Sequence, residues 1–219
     1  MSKINTTSLS ERYRYIVVEG PLAVGKTSLT RRLAAHLGAQ LMLEDAASNP
    51  FLERFYLEPE RFAFPAQMFF LFQRTLQASN IKQRDLFASP TISDFLMDKD
   101  RLFARMNLAD DEFELYQRLY QFLSPRTAVP DLVIYLQAPV HVLQERVKRR
   151  AWSVERPISE RYLHDLTNRY ADYFHHYDAS PLLIVNSEHL NFVDHQQDFE
   201  LLLRQIDSMR SPREFFSHG

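Results

Sequence analysis

The sequence predicts an α/β fold in which a parallel sheet of five strands carries helices on both faces. Three observations predict it. Short apolar runs with β-branched residues alternate with longer stretches whose apolar residues recur every three or four positions. Most of the runs are apolar without interruption, the pattern of strands buried on both faces. The first run ends in a glycine-flanked loop, GPLAVGKT (20–27), which leads into the first helical stripe.

The elements follow in order. Residues 13–19 (YRYIVVE) read as the first strand, and a helix starting near Thr27 carries Leu29, Leu33 and Leu37, with Gly38 placed to cap it. Residues 40–44 (QLMLE) form the second strand. The stretch 45–89 is long, helical and aromatic, with Phe64, Met68, Leu71 and Leu76 spaced for one helix face; an insertion of that size at the carboxyl edge of the sheet could roof a ligand site. Strands three and four are 91–94 (TISD) and 131–137 (DLVIYLQ). Pro139 suits the first residue of a helix bearing Val140, Leu143 and Val147. Leu163, Leu166, Tyr170, Tyr173 and Tyr177 mark another helix, 182–186 (LLIVN) the fifth strand, and Phe192, Phe199, Leu202, Leu203 and Ile206 a last helix. The aromatic stripes read as core. Residues 1–219 are expected to form one domain with polar, loose ends at 1–11 and 208–219.

Composition narrows the function. The 219 residues are 45% hydrophobic, enough for a sizeable core, and contain no cysteine, which excludes disulfides and cysteine–zinc sites. The net charge of −2 lacks the basic excess of a protein that binds nucleic acid polymers. No apolar run approaches the ~20 residues of a membrane span, and the first residues hold no apolar segment like a signal peptide's. A cytoplasmic protein acting on small molecules is expected.

The loop carries the first chemistry. Gly20-Pro21-Leu22-Ala23-Val24-Gly25-Lys26-Thr27, followed by Ser28, matches G-x-x-x-x-G-K-[ST] between a buried strand and a helix. The chain has four glycines, and two are in this loop. Such a loop turns main-chain N–H groups inward around a phosphate chain. Lys26 would reach the β- and γ-phosphates, and Thr27 would hold Mg²⁺. The D-x-x-G and N-K-x-D segments of regulatory GTPases do not occur, so a small kinase is the better class.

Other candidates are less specific. Glu44 stands at a strand end, where ligands sit in open α/β sheets; it is either a base for an attacking hydroxyl or a surface carboxylate. Asp94 ends strand three and is either a Mg²⁺ ligand or a helix cap. Gln67 and Arg74 lie seven residues apart, on one helix face. Arg146 and Arg150 share a face one turn apart, with Arg149 beside them: a clamp for the transferring phosphoryl group, or a solvated basic helix end.

These pieces together resemble the deoxynucleoside kinase family, in particular its bacterial deoxyadenosine and deoxyguanosine kinases. The resemblance runs from Tyr15 to Val193 and rests on the P-loop, Glu44, NPFLERFY (49–56), LEPERFAFPAQ (57–67), SDFLMDKDRLFA (93–104) and RVKRRAWSVE (146–155). It implies a P-loop kinase fold with a helical lid, ATP with Mg²⁺ as donor, a homodimer, and a deoxyribonucleoside as acceptor, a purine favoured and deoxycytidine the alternative. It implies that Glu44 is the base for a 5′-hydroxyl, with Lys26, Arg146 and Arg150 stabilising the transfer and Thr27 and Asp94 holding the metal. It places Tyr56 and Glu155 at the sugar 3′-hydroxyl, Gln67, Asp100 and Arg74 at the base edge, and Phe103 against the base. Two departures stand out. The family has an arginine and a serine or threonine after the residue matching Asp94; this chain has Phe95 and Leu96, which leaves the arginine's role lost or taken over by Arg101 or Arg74. The family's R-G-R in the lid reads Arg150-Ala151-Trp152 here. The rival readings are a thymidylate-type monophosphate kinase, with Arg61, Arg74 and Arg101 as acceptor-phosphate ligands, and a nucleotide-binding regulatory protein without turnover.

Overall fold

The structure is a computed structural model that describes residues 6–83, 89–123, 128–150, 158–192 and 194–217. Its centre is one parallel sheet of six strands in the order β2-β3-β1-β4-β5-β6. These are β1 (Tyr15–Glu19), β2 (Gln40–Met42), β3 (Thr91–Ser93), β4 (Leu132–Gln137), β5 (Leu182–Asn186) and β6 (Arg213–Phe216). Among the described residues the helices are α1 (Thr6–Arg12), α2 (Lys26–Leu37), α3 (Leu52–Leu57), α4 (Pro59–Gln83), α5 (Lys99–Asn107), α6 (Asp110–Leu123), α7 (Val140–Arg150), α8 (Glu160–His175) and α9 (Gln196–Ser208).

Strand parity divides the core. Ile16 and Val18 point to the face where Leu29 and Leu33 of α2 and Leu202 and Leu203 of α9 pack. Tyr15 and Val17 point to the opposite face, against Leu166, Tyr170 and Phe174 of α8. Glu19 continues the second set and is therefore carried into the interior, where it is fully buried. A third cluster, with Leu52 and Phe55 of α3, Leu71 of α4 and Tyr116 of α6, forms the roof above the carboxyl ends of the strands. The insertion 45–89 supplies α3 and α4, as its position suggests.

The structure departs from the sequence reading at several places. The sheet has six strands, not five. The sixth lies in the carboxyl end expected to be loose; it pairs with β5 in parallel. Arg213 donates to the carbonyls of His175 and Tyr177, and Glu214 accepts from the Arg210 and Ser211 N–H groups. Its residues alternate between exposed and half-buried, so this edge strand has no continuous apolar run. At the other end, residues 6–11 are helical, and Arg12 joins α1 to the end of α9 through the carbonyls of Asp207 and Met209. β2 and β3 stop at Met42 and Ser93, so Glu44 and Asp94 stand in the loops just beyond. Leu76 is 69% exposed and does not belong to the buried face of α4.

The P-loop is seated tightly against the sheet. Gly20 has φ +148°, and a Cβ there would lie 2.4 Å from the Leu136 carbonyl oxygen on β4. Gly25 has φ +109° with nothing within 4 Å of its missing Cβ. Both substitutions to alanine force a strained backbone, but only the first adds a clash with a buried strand. Gly20→Ala is expected to destabilise the fold by about 1–3 kcal/mol more than Gly25→Ala, the usual cost of overpacking. Denaturant midpoints of the two variants measure it, and equal midpoints would contradict it.

Candidate active site

The loop between β1 and α2 surrounds the end of the first strand. Lys26 turns back on the loop, its ammonium donating to the carbonyls of Gly20 (2.8 Å) and Pro21 (2.9 Å). Burial and, next, the charge of Lys99 push its pKa down. The Thr27 hydroxyl donates to Asp94 Oδ2 at 2.6 Å, and the other oxygen of Asp94 accepts from the Glu44 main-chain N–H at 2.7 Å. A hydroxyl and a carboxylate converge beside the loop, oxygen donors of the kind that hold Mg²⁺ together with substrate phosphates. Among the described residues no group of three or more His, Cys, Asp or Glu side chains could hold a metal by itself.

Glu44 is fixed from two sides. The Arg74 guanidinium approaches Oε1 through Nε (2.7 Å) and Nη2 (2.5 Å), and the Lys99 ammonium lies 3.4 Å from Oε2. Burial pushes the carboxyl up, but Arg74, Lys99 and Lys26 together outweigh it and bring the pKa to about 2. The loop that carries Glu44 is clipped to α4. Gln77 donates to the Leu43 carbonyl (3.0 Å), and Gln73 to the Asp45 carbonyl (3.0 Å) and the Ser48 hydroxyl (2.8 Å). Gln73, Arg74 and Gln77 share one helix face by their spacing, so a single face of α4 positions both the loop and its carboxylate.

The cleft above is walled by aromatic rings and floored by charge. Phe70, Phe103, Tyr162 and Tyr170 line it with Tyr56 and Gln67, over Lys26, Thr27, Glu44, Arg74, Asp94 and Lys99. The structure thus brings together most of the residues singled out from the sequence. Three are placed otherwise. Asp100 is fully buried and is absent from the lining: one oxygen pairs with Arg74 Nη1, and the other accepts from the Tyr116 hydroxyl at 2.6 Å. It braces Arg74 and does not present an edge to a base. Arg146 donates to the Val24 carbonyl (3.1 Å) and the Ser187 carbonyl (2.7 Å), so it grips the back of the P-loop. Arg101 is exposed, its guanidinium over the Tyr120 ring, and takes no part in the cleft. The Arg150 side chain and Glu155 lie outside the described residues.

Sequence reasoning missed Lys99, Glu19 and Tyr116. Lys99 sits one turn before Phe103, and that spacing alone puts it on the cleft face of α5. Glu19 could have been found from strand parity. It accepts from the N–H groups of Leu96 (2.7 Å) and Gly20 (3.0 Å) and from the Tyr170 hydroxyl (3.1 Å), and Lys99 Nζ is 3.3 Å away.

The depressed pKa of Glu44 has a consequence for acid stability. A carboxylate held below its ordinary value of 4.5 contributes fully while the unfolded chain's carboxylate is also ionised. The contribution is lost as pH falls toward 2. The stability gap between wild type and Glu44→Gln is therefore expected to be constant from about pH 6 to 8 and to shrink between about pH 4.5 and 3. Denaturant midpoints across this range test it; a gap that stays unchanged at about pH 3 contradicts the assignment.

The comparisons with known proteins converge on one family. The family model described as deoxynucleoside kinase matches residues 16–210. A deoxyadenosine kinase of Lactobacillus acidophilus is 32% identical over 206 residues, covering 88% of this chain and 94% of the relative. A deoxyguanosine kinase of Bacillus subtilis is 28% identical, covering 89% and 97%. Among solved structures, deoxyadenosine kinase from M. mycoides with bound dATP superposes with a TM-score of 0.76 at 23% identity, covering 89% of this chain and 99% of that one. With its P-loop, roof and cleft, the chain belongs to the deoxynucleoside kinase family.

Proposed function

We propose that the protein transfers the γ-phosphoryl group of ATP, as its magnesium complex, to the 5′-hydroxyl of a purine deoxyribonucleoside. The observation that carries this reading is the Asp94 bridge. One carboxylate ties the Thr27 hydroxyl of the donor loop to the main chain of Glu44 on the acceptor side. The loop N–H groups, the amino end of α2 and Lys26 hold the phosphate chain; Lys26 exchanges its two loop carbonyls for phosphate oxygens. Thr27 and Asp94 would hold the magnesium, which would supply charge neutralisation on the phosphate oxygens. The 5′-oxygen attacks the γ-phosphorus, the bond to the bridging oxygen of ADP breaks, and the hydroxyl proton passes to Glu44. Arg146 keeps the loop in shape through Val24, and Arg150 and Glu155 are assigned to the lid by resemblance.

Gln67 reads the base. Its Nε2 donates to the Asp100 main-chain oxygen at 3.1 Å, which leaves its amide oxygen as the acceptor in the cleft. An acceptor favours an exocyclic amine, as on adenine, and disfavours thymine O4. The names of the relatives, deoxyadenosine and deoxyguanosine kinases, support a purine. A nucleoside rather than a nucleotide acceptor is supported by the arginines. Arg61 pairs with Glu58 at the surface, Arg101 is exposed, and Arg74 is spent on Glu44 and Asp100. No arginine of this set remains for an acceptor phosphate. We assign the reaction to the cytoplasm; among the described residues no helix is long and apolar enough to cross a membrane.

The test is monophosphate formation from the four deoxynucleosides with MgATP. The expected kcat/KM for deoxyadenosine exceeds that for thymidine by about 10- to 100-fold, and Glu44→Gln lowers kcat by ~10²–10⁴ with little change in KM. A preference for thymidine, or for a monophosphate acceptor, overturns the acceptor reading. Normal kcat in Glu44→Gln removes Glu44 from the base's role.

The second copy expected of a homodimer is assigned to the face formed by α4 and α6, which pack together. Phe72 and Leu76 of α4 and Leu115 and Phe122 of α6 are exposed, Phe122 by 87%. Related by a twofold axis, such a face covers itself. Light scattering is expected to report a dimer for wild type and a monomer for Phe122→Asp; a wild-type monomer rejects the assignment.

A further inference from the structure

We propose that Lys99 is a positioning residue for phosphoryl transfer: its ammonium joins the acceptor carboxylate Glu44 to the buried carboxylate Glu19 at the root of the P-loop, and so does from α5 what no side chain at position 95 does in this chain. The inference rests on the reading of Glu44 as the base.

A lysine is poorly suited to this position on general grounds. It is the first residue of α5, where the helix dipole disfavours a cation, and it is 3% exposed, where burial disfavours an ammonium. Its placement is therefore owed to its partners. Nζ is 3.3 Å from Glu19 Oε1 and 3.4 Å from Glu44 Oε2. The Glu44 oxygens are divided: Arg74 holds Oε1 through two N–H groups, and Lys99 faces Oε2. With both oxygens engaged the carboxylate plane is fixed; with Arg74 alone it can turn about its last torsion. A fixed plane matters because a reacting pair misplaced by about 1 Å can lose ~10²-fold in rate.

The other candidates for this role are excluded by position. Phe95 is buried in the core with Tyr135 and Phe174, away from the cleft. Arg101 is exposed. Lys26 belongs to the donor loop and makes no hydrogen bond to Glu44; it lines the cleft together with Lys99. They flank the space between donor loop and acceptor carboxylate, where transferring charge would be neutralised.

Glu19 gives a second explanation to test against. With three hydrogen-bond donors of its own, Glu19 could need Lys99 only as a counter-charge. The experiment compares wild type, Lys99→Met, Lys99→Arg and the double variant Glu19→Gln/Lys99→Met. It reads kcat and KM for MgATP and deoxyadenosine, with thermal midpoints alongside. Lys99→Met is expected to lose ~10–100-fold in kcat, with both KM values within about threefold. Lys99→Arg is expected to recover most of the loss, and the double variant to stay as slow as the single one. Normal kcat in Lys99→Met, or recovery in the double variant, overturns the proposal in favour of a structural counter-charge. If Lys99→Met does not fold, the double variant, which removes both buried charges, decides by the same kcat criterion. A wild-type protein that phosphorylates no deoxynucleoside would instead sink the reading of the reaction, a different result.

Discussion

The Arg74 guanidinium is what allows two carboxylates, Glu44 in the cleft and Asp100 buried behind it, to lie side by side. It is 3% exposed and presents Nε and Nη2 to the first and Nη1 to the second. Removing one member of a buried ion pair costs roughly 3–5 kcal/mol, because its partner stays buried without compensation. Here two partners would be stranded at once, against a folding free energy of about 5–15 kcal/mol for a typical domain. Without Arg74, Glu44 would keep only Lys99 and Asp100 only Tyr116. Tyr116 completes the arrangement by taking the remaining oxygen of Asp100, which makes α6, remote from the P-loop, part of the support for Glu44.

Charge in the cleft follows from backbone geometry set much earlier in the chain. The pleat of β1 sends Tyr15, Val17 and Glu19 to one face, and the last of them meets Lys99 and the Tyr170 hydroxyl there. The helix α4 then brings Gln73, Arg74 and Gln77 along one face over the loop that follows β2. One strand and one helix thus fix the two carboxylates that Lys99 joins. The Asp94 bridge fixes the third, between them and Thr27. Because the donor and acceptor halves share these ties, a shift of the Glu44 loop is felt at Thr27 through a single side chain.

Much of this was legible in the sequence. The sheet, the P-loop and the roof rest on long-lived patterns: continuous apolar runs, a glycine-spaced loop, leucines every fourth residue. Glu44 and Asp94 stand out at strand ends, and Gln67 and Arg74 share a helix face, but the roles expected of them come from the family resemblance. What escaped depended on contacts distant in sequence. The resemblance puts Asp100 at the base edge and gives Lys99 no role. Only the fold reveals that Lys99 reaches Glu19 and that Asp100 braces Arg74. Arg146 carries the right charge near the right loop, yet its donors are spent on the Val24 and Ser187 carbonyls, which no sequence pattern announces. Strand β6 escaped because an edge strand needs only one covered side.

The same pairing that holds Glu44 in place weakens it for the base's role proposed for it. A carboxylate brought to about pKa 2 by Arg74, Lys99 and Lys26 has little thermodynamic pull on a hydroxyl proton. Phosphoryl transfer makes this tolerable. Its transition state is loose, with limited bond formation to the attacking oxygen, so the proton need not leave early and orientation counts for more than basicity. A neutral glutamic acid would have one oxygen occupied by its own proton, whereas the ionised carboxylate is acceptor-only at both oxygens. The cations thus trade base strength for a carboxylate whose charge and plane are constant, which is the better exchange for a reaction limited by geometry and electrostatics.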